Sequence, residues 1–380
     1  MVYRNASGRA RYNGFGLIEV LIGMLIGLIT ILVIFQVFAV FEGQKRTTGS
    51  TGDTQMNGAQ AMMLISRDLR NAGYGFGVAG AQGCQVNASF NGTSFTFNLV
   101  PVTIIQGSGT AADSLQIMAG DSSSFSVPAR ITFDHPPTAI NFCVDTTAGI
   151  NPNDMMIAYE PGKTCTLLQA TSVGADSSGT GQGCTQTQVK HQNSAWNPTG
   201  NAAAALYPQP DGYTTAGGAQ LFDLGQFVNR TYFIGGTGTV GGLQLTEWNT
   251  AVASGTSVGV TSAMLVSDVV NLQAEYGKDT NGDGAVDTWD TITPTDNTGW
   301  QQVLAVRYAI ALRSPLYEKT VVTQGNVAAT WPASASGVSG SAGSIALDLK
   351  PDGTAMPDWN HYRYTVMYAV VPLRNMIWRQ

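Results

Sequence analysis

Residues 14–41 read GFGLIEVLIGMLIGLITILVIFQVFAVF. From residue 15 onward, only Glu19, Thr30 and Gln36 interrupt a run of apolar side chains and glycines. A helix rises about 1.5 Å per residue, so about 20 residues cross the ~30 Å hydrocarbon core of a bilayer, and this run is longer than that. The sequence therefore predicts one membrane-spanning helix.

The residues at the start of this run have a specific spacing. Gly14 lies before the apolar run, whereas a secretory signal peptide has its small-residue cleavage site after a shorter apolar core. Glu19 places a carboxylate where an ionised group is costly, and such a group is a functional hint. Gly14, Phe15 and Glu19 resemble the class III signal of type IV pilins and type II secretion pseudopilins, with Gly16 where that family often has Thr. The alternative is an ordinary membrane anchor with an incidental glutamate.

Two further stretches narrow the resemblance. Residues 65–74, ISRDLRNAGY, and residues 371–376, VPLRNM, are similar to the PilW family of minor pilins. The resemblance implies that a prepilin peptidase cuts after Gly14, that Phe15 is then methylated, and that Glu19 serves assembly. It also implies a non-enzymatic role in priming and assembling a type IV pilus, near its tip.

The same resemblance names the expected partners. They are other minor pilins, the major pilin, a tip adhesin, the prepilin peptidase and the inner-membrane assembly platform. Two related functions stay open, a J-type pseudopilin of type II secretion and a pilus-borne adhesin that takes part in cell adhesion. A tethered hydrolase is a further alternative, which a carboxylate or histidine pair brought together by folding would favour.

Charge predicts the orientation of the chain. Three arginines and no acid lie in the first 14 residues, whereas Glu42, Lys45 and Arg46 leave about +1 after the apolar run. The positive-inside rule then predicts a cytoplasmic N-terminus and a head outside the membrane. The resemblance implies that this membrane is the inner membrane, that the head is periplasmic, and that the chain later takes a place in an extracellular pilus. Removing the three leader arginines leaves 16 basic against 25 acidic residues, a net charge of −9. Such a head repels phosphate, so no nucleic-acid partner is expected.

The predicted order of segments begins with a cleaved leader, residues 1–14, and a transmembrane and assembly helix, residues 15–48. Residues 49–52, GSTG, have poor helix propensity and predict a kink or a break. Asp53 would then cap an amphipathic helix over residues 53–72. Its apolar residues recur every three or four positions and predict the face that docks on the head. They are Ala59, Met62, Ile65, Leu69 and Ala72.

The remaining residues, 73–380, are predicted to form a β-rich head of one or two lobes. Only 12% of the chain is charged and it contains 45 glycines, a composition typical of loop-rich extracellular β structure. Alternation of apolar and polar residues predicts strands that include residues 95–100, 114–118, 229–234, 303–312 and 362–371. Residues 170–218 are rich in Gly, Ser, Thr and Asn and are predicted to be loops. The expected fold class is therefore α+β, with a long N-terminal pilin-type helix packed on a mainly antiparallel head with long loops.

Four cysteines lie in the predicted head, at positions 84, 143, 165 and 184. No Cys-x-x-Cys pair is present and no histidine stands at zinc spacing, so disulfides are favoured in an oxidising compartment. Four cysteines allow three pairings, of which we prefer Cys165 with Cys184 and Cys84 with Cys143. Free buried thiols are the alternative.

The three histidines, His135, His191 and His361, have no neighbour in sequence at a metal-binding or catalytic-triad spacing. We interpret each as structural, so none of them supports an enzyme.

Residues 279–290, DTNGDGAVDTWD, match the loop that wraps calcium in EF-hand proteins. Oxygen-bearing side chains occupy positions one, three, five, nine and twelve, and glycine occupies position six. The predicted ligands are Asp279, Asn281, Asp283, Asp287 and Asp290 through side chains and Ala285 through its carbonyl. Asp290 replaces the usual bidentate glutamate, and the flanks alternate like strands rather than helices. An acidic turn is the alternative, since Asn-Gly and Asp-Gly also form hairpin turns.

Overall fold

In the computed structural model of the protein, the described residues are 16–77, 80–122, 127–174, 187–250 and 260–377. The chain divides between Asp53 and Thr54 into two compact units. The helices are α1 (Leu17–Asn71), α2 (Asn201–Ala204), α3 (Asn297–Gln302) and α4 (Arg374–Ile377).

The strands follow in chain order after α1. They are β1 (Cys84–Phe90), β2 (Thr93–Leu99), β3 (Val102–Ile105), β4 (Ser114–Ala119), β5 (Ala129–Arg130), β6 (Asn141–Cys143), β7 (Met155–Tyr159), β8 (Cys165–Gln169), β9 (Ser172–Val173), β10 (Gln188–Lys190), β11 (Gln220–Gly225), β12 (Val228–Thr237), β13 (Val240–Asn249), β14 (Val260–Ser267), β15 (Val269–Lys278), β16 (Thr288–Asp290), β17 (Val303–Arg313), β18 (Val327–Ala329), β19 (Ser344–Ala346) and β20 (Tyr364–Pro372).

The helix α1 continues through residues 49–52, so the helix does not break there, and Asp53 lies inside the helix rather than at a cap. The hydroxyl groups of Thr47 and Thr51 donate hydrogen bonds to carbonyl oxygens one turn earlier in the helix. For Thr47 the acceptor is the carbonyl oxygen of Gly43, at 3.0 Å. Both hydroxyl groups therefore find a partner within the helix. A glycine costs about 1 kcal/mol relative to alanine in a helix interior. Extending an existing helix is nevertheless less costly than nucleating a second one.

In the second unit, α1 lies against the sheets through one face. Ile65, Leu69 and Ala72 of the predicted stripe are fully buried, whereas Ala59 is exposed and Met62 is half-buried. The buried face is rotated toward small residues, Gly58 and Ala61 among them, which let the helix backbone approach the sheet. A Cβ atom on Gly58 would lie 2.7 Å from the sulfur of Met367.

The sheets are mainly antiparallel, with a parallel pair formed by β1 and β8. Their strand orders are β2-β1-β8-β7-β11-β5, β14-β13-β12-β4-β3, β16-β15-β17-β20, β6-β10-β9 and β18-β19. The predicted α+β class is therefore correct. The largest apolar cluster joins the buried face of α1 to side chains of β12, β15, β17 and β20.

The strand β17 is buried along its whole length. On one side of its sheet lies the α1 cluster, and on the other a smaller cluster that includes Ile345 and Leu347. A strand covered on both faces needs apolar residues at consecutive positions, and the sequence VLAVRYAIAL supplies them.

Residues 170–218 contain more structure than the sequence predicted. Val189 on β10, together with Tyr207 and Tyr213, is buried in a separate apolar cluster that also contains Phe142. No alternation of apolar and polar residues marks these side chains in the sequence. Their burial depends on contacts with distant segments.

Candidate functional site

The part of α1 in the first unit carries its apolar side chains on all sides. Side chains from Leu17 to Phe41 are exposed, and the most apolar 18-residue window of the helix has none of its residues buried. By length and composition this helix can cross a membrane. Together with the prepilin motif reported below, it anchors the chain in a membrane.

Glu19 is exposed within the first turn of α1. A negative charge there interacts favourably with the positive end of the helix dipole. Gly14 and Phe15, the predicted processing residues, lie outside the described residues.

The two stretches that carry the PilW resemblance meet at the C-terminal end of α1. The side-chain amide of Asn375 donates to the carbonyl oxygens of Asn71 at 3.2 Å and Ala72 at 3.0 Å. The last carbonyls of a helix lack partners within the helix, so Asn375 caps this end. Gly73 turns the chain with φ of 77°, in the left-handed region that glycine adopts readily.

Asp68 connects the helix to β12 through a buried charge. Its side chain accepts hydrogen bonds from the Tyr232 hydroxyl at 2.7 Å, from Arg230 at 3.2 Å and from Arg67 at 3.0 Å. Arg230 also pairs with Glu247 on β13 at 2.6 Å. Burial and the neighbouring Asp68 carboxylate raise the pKa of Tyr232, so its hydroxyl stays protonated and donates. The helix is thus fixed by polar bonds as well as by apolar packing.

The disulfide pairing differs from the preferred prediction. Cys84 on β1 is bonded to Cys165 on β8, which excludes both predicted pairs, Cys165 with Cys184 and Cys84 with Cys143. Cys143 is also disulfide-bonded, and Cys184 lies outside the described residues. The two bonded cysteines lie on neighbouring parallel strands, where Val86 is paired with Cys165. Sequence spacing cannot reveal that adjacency.

Folding also brings together two histidines that sequence reasoning treated singly. His135 and His191 are buried, and their Nε2 atoms lie 2.8 Å apart. The Nδ1 atom of His191 lies 3.0 Å from the hydroxyl of Tyr207. His361 lies elsewhere, with Nδ1 2.7 Å from the carbonyl oxygen of Glu318. His135 and His191 are 56 residues apart in sequence, and nothing in the local sequence signals their contact.

The predicted calcium loop folds around two of its carboxylates. Asp279 accepts hydrogen bonds from the backbone of Gly282 at 2.6 Å and Gly284 at 2.8 Å. Asp287 accepts from the amide of Thr280 at 2.9 Å and from its hydroxyl at 2.8 Å, and these bonds lower the pKa of the carboxyl. Gly284 stands at position six with φ of 84°, the sharp turn that this position requires.

The fit of this loop to calcium is partial. Asp290 pairs with Lys278 at 2.6 Å, so its carboxylate turns toward β15. Within the described ranges, no group of three or more His, Cys, Asp or Glu side chains stands close enough to hold a metal ion. The required side-chain oxygens are present on Asp279, Asn281, Asp283 and Asp287. These oxygens accept hydrogen bonds from amides and hydroxyls of the loop, and the side chains of Asn281 and Asp283 are also bonded to each other. Calcium binding stays a prediction.

The loop is firmly tied to the sheet behind it. The Arg307 guanidinium stacks between Trp289 and Trp331, 4.8 Å from each ring, and is paired with Glu275. The amide of Trp289 donates to the carbonyl oxygen of Ser339 at 2.9 Å. A change in the loop would therefore reach β17 through Trp289 and Arg307.

Comparison with known proteins gives two matches. The family described as type IV pilus-assembly protein W matches residues 231–375, from within β12 to α4. The prokaryotic N-terminal methylation motif matches residues 9–35, which include Gly14, Phe15 and Glu19. No curated protein and no solved structure matches the chain. The chain thus carries a prepilin methylation motif at the start of its long helix and a type IV pilus-assembly protein W domain in its C-terminal half, which is consistent with a type IV pilin of the PilW family.

Proposed function

We propose that this chain is a minor pilin that takes part in priming and assembling the type IV pilus, near its tip. The exposed apolar part of α1 supports this most directly. Side chains from Leu17 to Phe41 are exposed in the described structure. They need lipid or neighbouring helices, and a subunit that moves from a membrane into a helical bundle uses both.

Glu19 is the residue to which we assign assembly. After cleavage behind Gly14, Phe15 would become the first residue and would carry a new ammonium group. In a bundle, the Glu19 carboxylate of one subunit would neutralise the Phe15 ammonium of a neighbour. Either charge left unpaired in an apolar core is costly. The chain would thus act by assembly, without catalysis.

Processing provides the first test. Gly14→Leu should leave an uncut chain that begins at Met1, because the peptidase reads this position. Gly23→Leu is the matched control, since a Cβ atom at that position would meet no described atom within 4 Å apart from its chain neighbours and the backbone of its own helix. N-terminal sequencing of the protein from cells with active peptidase reads the result. A wild-type chain that still begins at Met1 would contradict the pilin proposal.

Assembly provides the second test. Glu19→Ala should be cut normally but should enter sheared pili in a much reduced amount. Glu42→Ala, an acid on the same helix beyond the apolar run, is the control and should enter normally. Equal incorporation of the two variants would contradict the pairing of Glu19 with Phe15.

The partners separate the proposed function from its alternatives. Capture of the detergent-extracted full chain should recover other minor pilins, the major pilin and the assembly platform of the inner membrane. Recovery of type II secretion components instead would favour the J-type pseudopilin. Normal piliation without the protein, with loss of surface attachment, would favour the pilus-borne adhesin.

We further propose that residues 279–290 bind one Ca²⁺ that stabilises the head. The spacing of oxygen ligands and the turn at Gly284 support this. Side-chain oxygens would come from Asp279, Asn281, Asp283 and Asp287, and a backbone carbonyl oxygen from Ala285. Asp290 would complete the coordination shell once its carboxylate leaves Lys278 and binds the cation. Extracellular calcium sites have dissociation constants of roughly 10⁻⁴–10⁻³ M, which suits an external head.

Calcium addition tests this proposal. At about 10 mM Ca²⁺ such affinities stabilise the folded chain by roughly 1.4–2.7 kcal/mol, so the melting temperature of the full chain in detergent should rise, and chelator should reverse it. The double change Asp279→Ala and Asp283→Ala should abolish the response. Asp352→Ala, in another exposed acidic turn, should retain it. A wild-type chain without any response to millimolar calcium would exclude the site.

A further inference from the structure

The His135–His191 pair joins three segments that are distant in sequence. His135 exchanges two backbone hydrogen bonds with Tyr213, at 2.7 and 3.0 Å, and the amide of His191 donates to the carbonyl oxygen of Ile140 at 3.0 Å. The ring of His135 stacks on Phe142, 3.7 Å between centroids. The segment that carries Tyr207 and Tyr213, residues 206–213, is called the latch segment below. It is held on Phe142 and the strands beside it through these two imidazoles.

The bond between the two rings needs at least one neutral imidazole. A direct bond between two Nε2 atoms needs one donor and one acceptor, and a protonated imidazole has only donors, so the bond is lost when both rings are protonated. A single protonated ring could keep the bond but would place a charge in a buried site, which is costly without an ion-pair partner. One neutral tautomer on each ring lets Tyr207, His191 and His135 bond in a chain. That chain ends at Nδ1 of His135, which is buried without a partner in the described structure.

No carboxylate of the described residues forms an ion pair with either ring in a way that would stabilise a charged form. The titratable and charged groups on the surrounding elements are Asp134, Glu160, Lys163, Lys190, Tyr207, Asp211 and Tyr213. Asp134 is bonded to Thr215, and Glu160 is bonded to Lys163 and Thr214. Within the described part of the chain, neither imidazole forms an ion pair. Burial lowers the pKa of both imidazoles, and it lowers that of His191 to about 4. The neighbouring His191 lowers the pKa of His135 further.

We propose that His135 and His191 form an acid-sensitive latch, which holds the latch segment in place at neutral pH and releases it when the imidazoles take up protons. In the open state each ring meets water and accepts a proton at its ordinary value near 6.5. Each histidine then favours opening by up to tenfold per pH unit below that value. Between pH 7 and pH 5 the open-to-closed ratio rises about 25-fold if one ring is protonated on opening, and several hundred-fold if both are.

Hydrogen exchange of the full chain in detergent tests this. The reporters are the amides of His135 and Tyr213, which bond to each other's carbonyls. After correction for intrinsic exchange, their protection should fall at least 20-fold from pH 7 to pH 5. Amides in the docked part of α1, residues 54–71, should change much less. Equal corrected protection of the reporters at both pH values would overturn the proposal.

A variant without titratable rings sharpens the test. His135→Gln with His191→Gln keeps hydrogen-bonding groups at both positions and should make the protection of the reporters independent of pH. His361→Gln, a histidine outside the pair, should retain the wild-type response. A double variant that keeps the wild-type response would overturn the latch.

A measurement on the wild-type chain guards against a double variant that does not fold. In protein labelled with ¹³C on histidine, two imidazoles should remain neutral at pH 5.5 while the reporter amides are protected. Titration of all three histidines near pH 6.5 with the latch segment still protected would equally overturn the proposal.

Discussion

Two buried polar networks fix segments of this chain onto sheets, and they do so by opposite means. At α1, the Asp68 carboxylate is matched by Arg230 and by the Tyr232 hydroxyl. At the latch segment, His191 is bonded to the Tyr207 hydroxyl and to a second imidazole, without any charge. Burial of a polar group is tolerated when its charge is paired or when it carries none. The first network depends on an ion pair, and the second on neutrality.

Removal of the buried carboxylate should have the largest effect. Asp68→Ala leaves the Tyr232 hydroxyl without its partner and leaves Arg230, which is 31% exposed, with Glu247 alone. The free energy of unfolding should fall by about 3 kcal/mol, the lower end of the usual cost of breaking a buried pair. Denaturant titration of the full chain in detergent, followed by tryptophan fluorescence, measures this loss.

Arg67→Ala is the control for that prediction. It contacts the same carboxylate, but its side chain is 58% exposed, and exposed pairs contribute about 0–1 kcal/mol. If both variants lose the same stability, the Asp68 network does not fix the helix as argued.

Lowering the pH should weaken the neutral network next. Because the pKa of His191 is lowered from 6.5 to about 4, its contribution is fully present above pH 6.5 and is lost as the pH falls toward 4. A shift of one pKa unit corresponds to about 1.4 kcal/mol, so about 2 kcal/mol should be lost by pH 5 through His191 alone.

Unfolding free energies of the wild type and of the double glutamine variant, measured between pH 7 and pH 5, check this effect. Carboxyl groups with a raised pKa, such as Asp113, act in the opposite direction at lower pH, so the comparison stops at pH 5. A wild-type stability that is constant over this range would refute the neutral state of the pair.

A matched pair of tyrosine substitutions compares the two networks directly and includes the smallest expected effect. Tyr232→Phe removes a hydrogen bond to a charged group, worth about 1.5–3 kcal/mol, whereas Tyr207→Phe removes a bond between neutral groups, worth about 0.5–1.5 kcal/mol. Both hydroxyls are buried, so packing changes alike in the two variants. A larger loss for Tyr207→Phe in the same denaturant titration would reverse the comparison.

The charged network and the neutral one also differ in how far the sequence predicts them. The helical period of Ile65, Leu69 and Ala72 predicts the docking face, because a repeat of three or four residues is a local property. The uninterrupted helix through residues 49–52 was not predicted, since propensity describes an isolated segment and here a long helix already surrounds it. The α+β class, the membrane helix and most strands in the described ranges follow from periodicity in the same local way.

The remaining misses are contacts between distant residues. The bond between Cys84 and Cys165 spans 81 positions and depends on β1 and β8 being neighbours. The contact of His135 with His191 depends on loops whose composition predicted little structure. No local pattern encodes either adjacency, because each follows from the order of strands in the folded sheets.

The cap on α1 links the helix to the order in which the chain is made. Asn71 is synthesised 304 residues before Asn375, whose side chain completes the helix end. The strand β20, on which Gly58 of the helix packs, is likewise far from the helix in sequence. Such pairing of distant elements is a high-contact-order arrangement that slows folding. A chain whose translation stops before Asn375 cannot form this cap, so it lacks the completed junction between helix and sheet.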